Sequence, residues 1–168
     1  NNLPAPIGRN YQSELRLIPG FTVTGGGAVR GSNPSAAFTV YVNGTASQEN
    51  NVRIDGATAA NNFNTHLTAY IPGLEAIQTV ETVTSSSDAS AGLAAGASIN
   101  VQVKSGANQV HGSAFEYHND NALKARPALF PIGQGKPKTI FNQFGGTVGG
   151  PIRRDKLFYF LSYDGLLS

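Results

Sequence analysis

The chain has 168 residues with no Cys, Met or Trp, 20 Gly, and 13% charged residues, about half the share usual in a globular chain. Without Cys there is no disulfide framework, thiolate metal site or cysteine nucleophile, and no apolar run approaches the roughly 18 residues that a membrane-spanning helix needs. The net charge of +2 is uneven, with four Arg against six acids in residues 1–100 and eight bases against four acids in residues 101–168.

The tightest basic group, Arg153-Arg154 with Lys156, is too short and too poor in interleaved aromatics for a nucleic-acid stripe, and reads as a charged turn. The opening Asn1-Asn2-Leu3-Pro4 has neither the basic start nor the apolar stretch of a secretory signal, and a start on Asn1 points to a processed or partial chain.

In chain order, Asn10 is placed to cap a short helix, with Tyr11, Leu15 and Ile18 on one stripe and Pro19-Gly20 as its stop. Gly25-Gly26-Gly27 favours a turn. Residues 38–43 alternate, with Phe38, Val40 and Val42 on one face, and Asn43-Gly44 ends that strand. Residues 52–55 alternate again and stop at Asp55-Gly56, so the two strands are expected to be neighbours.

Residues 57–70 read as loop, Leu74 to Gln78 as a short helix after Pro72, and residues 80–84 as a β-branched strand. A small-residue helix is expected over residues 89–95, ending at Gly96, then a strand over residues 98–104 with Ile99, Val101 and Val103 inward. From residue 112 the character changes to aromatic-bearing strands around residues 112–118, 141–148 and 157–163. The first two are separated by a connection carrying Pro127, Pro131 and Pro137. The pattern predicts one buried sheet face built from Val40, Val42, Ile54, Val80, Val83, Ile99, Val101 and Val103.

No catalytic string survives inspection. Arg30 stands where a dinucleotide fingerprint starting at Gly25 needs glycine, Pro137 follows Gly135-Lys136 where a P-loop needs Ser or Thr, and no G-x-S-x-G is present. His66, His111 and His118 lack helical metal-ligand spacing, and His111 and His118 fall on opposite faces of a continuous strand. Asp55 and the His118-Asn119-Asp120-Asn121 run read as turn chemistry, the latter lacking the spacing of a calcium loop, and Asn43-Gly44-Thr45 is a glycosylation sequon of low specificity.

The run Ser98-Ile99-Asn100-Val101-Gln102-Val103-Lys104-Ser105-Gly106-Ala107-Asn108-Gln109-Val110-His111-Gly112 resembles the "G-V-N-V-x-T-K-S-G-T-N-x-F-H-G" string that closes the plug of TonB-dependent outer-membrane receptors. Further pieces follow in the family's order. Leu3-Pro4 with Gly8-Arg9-Asn10 and Pro19-Gly20 is similar to the opening of Oar-like receptors, Val29-Arg30-Gly31 to "I-R-G", Arg53-Ile54-Asp55-Gly56 to "x-I-D-G", and Ile77 to Val83 to "I-x-x-I-E-V". Asn142-Gln143-Phe144-Gly145-Gly146 through Gly149-Gly150-Pro151-Ile152, and Lys156-Leu157-Phe158-Tyr159-Phe160, resemble early barrel strands. Ala97 departs from the family's usual second Gly, and residues 89–95 lack its common aromatic.

The resemblance implies an α+β fold: a small mixed β-sheet plug with short helices over residues 1–111, then the β-strands of an incomplete barrel over residues 112–168. It implies a non-enzymatic role with no cofactor and no metal, namely the plug and early barrel of an energy-coupled outer-membrane transporter that gates ligand import. The plug would face the periplasm. Arg30 and Asp55 are the implied plug–barrel contacts. The implied partners are the rest of the barrel and a periplasmic energy-coupling protein, with no nucleic acid. Three strands cannot close a barrel that needs at least about eight, so a plug-like accessory subunit of another membrane complex is the alternative.

Overall fold

The computed structural model describes residues 10–24, 38–59, 70–84, 95–120 and 140–167. Arg30, the three-glycine run, all but the last residue of the expected helix at residues 89–95, His66 and the proline-bearing connection lie outside the described residues. The described helices are all short 3₁₀ turns, and the rest is mainly strand in three sheets, in keeping with the mixed plug and open strand array expected from the sequence.

The first turn, Tyr11–Leu17, starts at Asn10, whose side-chain oxygen accepts the Gln12 N–H at 2.9 Å. Tyr11 and Leu15 are buried and Ile18 packs beside them. Strand β1 (Phe21–Thr24) then pairs antiparallel with β2 (Thr39–Val42), Phe21 opposite Val42. Between the Pro19-Gly20 stop and the Gly25-Gly26-Gly27 turn, β1 is not singled out from the sequence, although Phe21 and Val23 alternate with Thr22 and Thr24.

Strand β3 (Asn51–Ile54) is not the neighbour of β2. It folds back on β4 (Ala57–Thr58) and runs parallel to β6 (Ala97–Val103). The reason is local. Asp55 and Gly56 both take positive φ, 49° and 83°, which closes a tight hairpin onto β4. The positive-φ pair Asn43-Gly44 and the 3₁₀ turn Ser47–Glu49 carry the chain from one sheet to the other. The 3₁₀ turn Leu74–Ala76 is shorter than the expected helix because β5 (Ile77–Thr84) already starts at Ile77, where a β-branched run favours extended backbone. The resulting four-stranded order is β4-β3-β6-β5.

The core is therefore shared by two sheets, and this corrects the single-sheet expectation. Val40 and Val42 are buried on the two-stranded sheet, while Ile99 and Val101 are buried on the four-stranded one; Ile54, Val80 and Val103 are half-buried. Val83 is 38% exposed. It stands three residues from Val80, and with a two-residue repeat that puts it on the opposite face.

Asn50 joins the two sheets. Its amide donates to the Val40 carbonyl at 2.7 Å, and its oxygen accepts the Ala97 N–H at 3.0 Å. The Gly96 N–H donates to the Glu49 carbonyl at 3.1 Å, and a Cβ at Gly96 would run into the Asn50 side chain.

The third sheet has the order β7-β8-β9, from β7 (His111–Asp120), β8 (Ile140–Arg153) and β9 (Leu157–Leu167). Residues 118–120 are strand and not the turn expected of them, with His118 paired to Asn142 and Asp120 to Ile140; His111 and His118 do fall on opposite faces. The charged turn is tighter than expected, because β8 runs through Pro151 to Arg153. A register shift at Pro151 absorbs its missing N–H.

Asn50→Ala is expected to destabilise the residue 10–103 unit by about 1–3 kcal/mol, since it orphans a buried N–H. Ile99→Ala should cost about 2–5 kcal/mol and Val83→Ala no more than about 0.5 kcal/mol, all read by urea denaturation. Burial raises the Tyr11 phenol pKa above its ordinary value, with Gln12 opposing the shift. The folded state therefore holds this proton more tightly than the unfolded chain. Stability from Tyr11 is complete below about pH 10 and falls as pH rises toward the folded pKa; Tyr11→Phe should flatten that fall in a pH series of denaturation midpoints.

Candidate functional site

The site of interest is the boundary between the residue 10–103 unit and the sheet β7–β9. Register divides that sheet into two faces. Val148 pairs with Leu161 and Gly146 with Tyr163, which sets Phe144, Val148, Leu161, Tyr163 and Leu167 on one face, all exposed. The Phe144 and Tyr163 rings meet there at 6.2 Å between centroids. Gly165 lies under Phe144, whose ring would stand 2.9 Å from a Cβ at that position, the pairing by which an aromatic shields a strand glycine.

The opposite face carries Phe141, Gln143 and Thr147, all buried, with Ser162 and Asp164. Here the two units touch. The Gln143 amide donates to both Asp164 oxygens at 3.0 Å, orienting the carboxylate, and a Cβ on Gly73 would lie 3.1 Å from Asp164 Oδ2. Gly73 opens the 3₁₀ turn Leu74–Ala76, so the sheet meets that turn where the backbone is bare.

The connection between the units is fastened at both ends. On one side the Lys104 N–H donates to the Ala76 carbonyl at 2.8 Å, and Lys104 Nζ donates to the Glu75 carbonyl at 2.7 Å. On the other side, a Cβ at Gly106 would collide with the Tyr159 carbonyl oxygen and lie 2.9 Å from that of Gly150, so the connection lies directly on the β8–β9 ladder. Asn108 then pairs with Asp155. Its amide donates to Oδ1 at 2.6 Å and its oxygen accepts the Asp155 N–H at 2.8 Å.

Of the two contact residues read from the sequence, Arg30 lies outside the described residues. Asp55 is exposed and serves its own sheet: its carboxylate accepts the Val103 N–H at 2.9 Å, and its N–H donates to the Val101 carbonyl at 2.9 Å. The contacts that join the units in the structure, Gly73 with Asp164 and Gly106 and Asn108 with the β8–β9 hairpin, were not singled out by sequence reasoning. The signal for one was present, as Gly106 and Asn108 are fixed positions of the "K-S-G-T-N" string, but the string says nothing of what they touch.

Gly106→Ala is expected to strain the connection by about 1–3 kcal/mol and to speed tryptic cleavage at the adjacent Lys104. Ala107→Ser, at an exposed position, should leave the cleavage rate unchanged.

Comparison with known proteins follows these two units. The family described as TonB-dependent Receptor Plug Domain matches residues 5–99, and the family described as Outer membrane beta barrel domain matches residues 102–168. The TonB-dependent transporter Oar of Myxococcus xanthus is 30% identical over an alignment of 161 residues, gaps included, that covers 92% of this chain and 14% of that protein. The fold is similar to that of the siderophore receptor PirA from Acinetobacter baumannii, with a TM-score of 0.66 and 21% identity over 96% of this chain and 22% of that one. The chain thus spans a small part of the relatives it matches. It belongs to the TonB-dependent receptor family, a family of receptors and not of enzymes, and comprises a plug domain continued by the first strands of an outer-membrane β-barrel.

Proposed function

We propose that residues 1–111 are the plug and residues 112–168 the first wall strands of an energy-coupled outer-membrane transporter, the plug blocking the lumen at rest and rearranging to admit a ligand. The observation that carries this reading is the two-sided wall. One face of β8 and β9 presents exposed Phe144, Val148, Leu161 and Tyr163, suited to lipid, and the other meets the plug at Gly73.

The lengths of the connections support the proposed orientation, with the plug toward the periplasm. β8 and β9 are joined by a tight turn at residues 154–156, whereas residues 121–139 separate β7 from β8. Short turns lie on the periplasmic side of such barrels and long ones outside, so the turn carrying Asp155 and the start of β7 face the periplasm, with the plug. Among the described residues β7 and β9 each have one edge with no strand beside it; later barrel strands cover those edges. Arg30 and Asp55 are proposed to reach wall strands beyond these three, and a periplasmic energy-coupling protein is the proposed driver.

The test is ion conductance of the full-length receptor in planar bilayers. The intact protein should stay closed and a variant lacking residues 10–103 should conduct steadily; equal conductance would overturn the gating role. A second expectation concerns the isolated 168-residue chain. In detergent-free buffer, protease should cleave residues 113–168 well before residues 38–103, because the wall lacks its lateral partners. Equal resistance in a monomer would mark a self-contained soluble domain.

A further inference from the structure

Resting on the plug-and-wall reading, we infer that the mechanical boundary of the plug lies between Lys104 and Gly106, and that the Asn108–Asp155 pair is a pin that keeps the connection on the wall when the plug undocks. Three observations place the boundary there.

Lys104 belongs to the plug by its bonds, since both its N–H and its ammonium are committed to carbonyls of the 3₁₀ turn at Ala76 and Glu75. Gly106, two residues on, belongs to the wall, with its backbone so close to the Gly150 and Tyr159 carbonyls that a single carbon does not fit. Only Ser105, which is exposed, stands between these two allegiances.

The pin lies beyond Gly106. Asn108 uses both ends of its carboxamide on one residue, the amide on the Asp155 carboxylate and the oxygen on the Asp155 N–H. That N–H is available because Asp155 takes a positive φ of 62° at the turn, and the same turn is closed by the Lys156 N–H donating to the Arg153 carbonyl at 3.1 Å. A carboxylate acceptor makes the first of these bonds charge-assisted. Asp164 meets the plug at Gly73, where a Cβ would lie 3.1 Å from its Oδ2. On undocking, Asp164 parts from Gly73 while residues 106–110, held by the Gly106 packing and the Asn108–Asp155 ring, stay on the wall.

The experiment uses the full-length receptor in detergent micelles under rising urea, with spin labels placed singly at Gln102 on β6 and at Ala107 in the connection, both exposed. The Gln102 label is expected to gain mobility at urea concentrations that leave the Ala107 label unchanged. In the Asn108→Ala background the two labels should mobilise together. Simultaneous mobilisation in the unmodified receptor, or an Ala107 label indifferent to Asn108→Ala, would overturn the proposal. These outcomes are read without transport, so a failure of the gating reading in the conductance test is distinguishable from a failure of the pin.

Discussion

The two-residue repeat of a pleated strand governs what residues 111–167 can be. Adjacent side chains must point to opposite faces, so a strand that touches lipid on one side and a plug on the other must alternate between two chemistries. β8 does so: Phe144, Val148 and Ile152 are exposed, while Phe141, Gln143 and Thr147 are buried. Glycines at positions 145, 146, 149 and 150 let neighbouring strands and rings close over the ladder, and Pro151 is tolerated because the register slips beside it.

Local chemistry was legible in the sequence, and long-range pairing was not. Asn43-Gly44 and Asp55-Gly56 were readable as turns because few other residues accept positive φ there, and Asn10 was readable as a cap. The alternation of Ile99 and Val101 was enough to find β6 and its buried face. The partner of β3 was not readable, since the choice between β2 and β6 depends on a 3₁₀ turn of three residues redirecting the chain. Val83 was misread for want of parity, as hydrophobicity alone ignores which face a residue occupies.

The junction was only half legible. Gly106 and Asn108 stood out as members of a string, yet their partners Tyr159 and Asp155 lie more than 45 residues away in sequence. Gln143 likewise stood out only as a member of a string, and Asp164 and Gly73 gave no sign of this contact. Their contact is a product of tertiary placement, and Gly73 reads in isolation as the second half of a Pro-Gly turn. Short polar side chains carry most of these ties: Asn50 between sheets, Asp55 on the end of β6, and Asn108 on the hairpin turn. Each satisfies backbone groups that no strand or helix could reach, which explains how a unit with few regular elements holds its sheets in fixed relation.

The position of β6 sets the order in which the chain can assemble. It is the last plug strand in sequence and yet lies inside its sheet, between β3 and β5. β1 can find β2, and β3 can find β4, from short-range encounters, but β3 and β5 have no common partner until residues 97–103 have arrived. The parallel pairing with β3 closes a loop of more than 40 residues, the kind of non-local step that slows folding. The two halves of this chain thus assemble in unlike ways. The wall can zip strand by strand from the Asp155 turn, while the plug waits for its final strand, which leads directly into the wall.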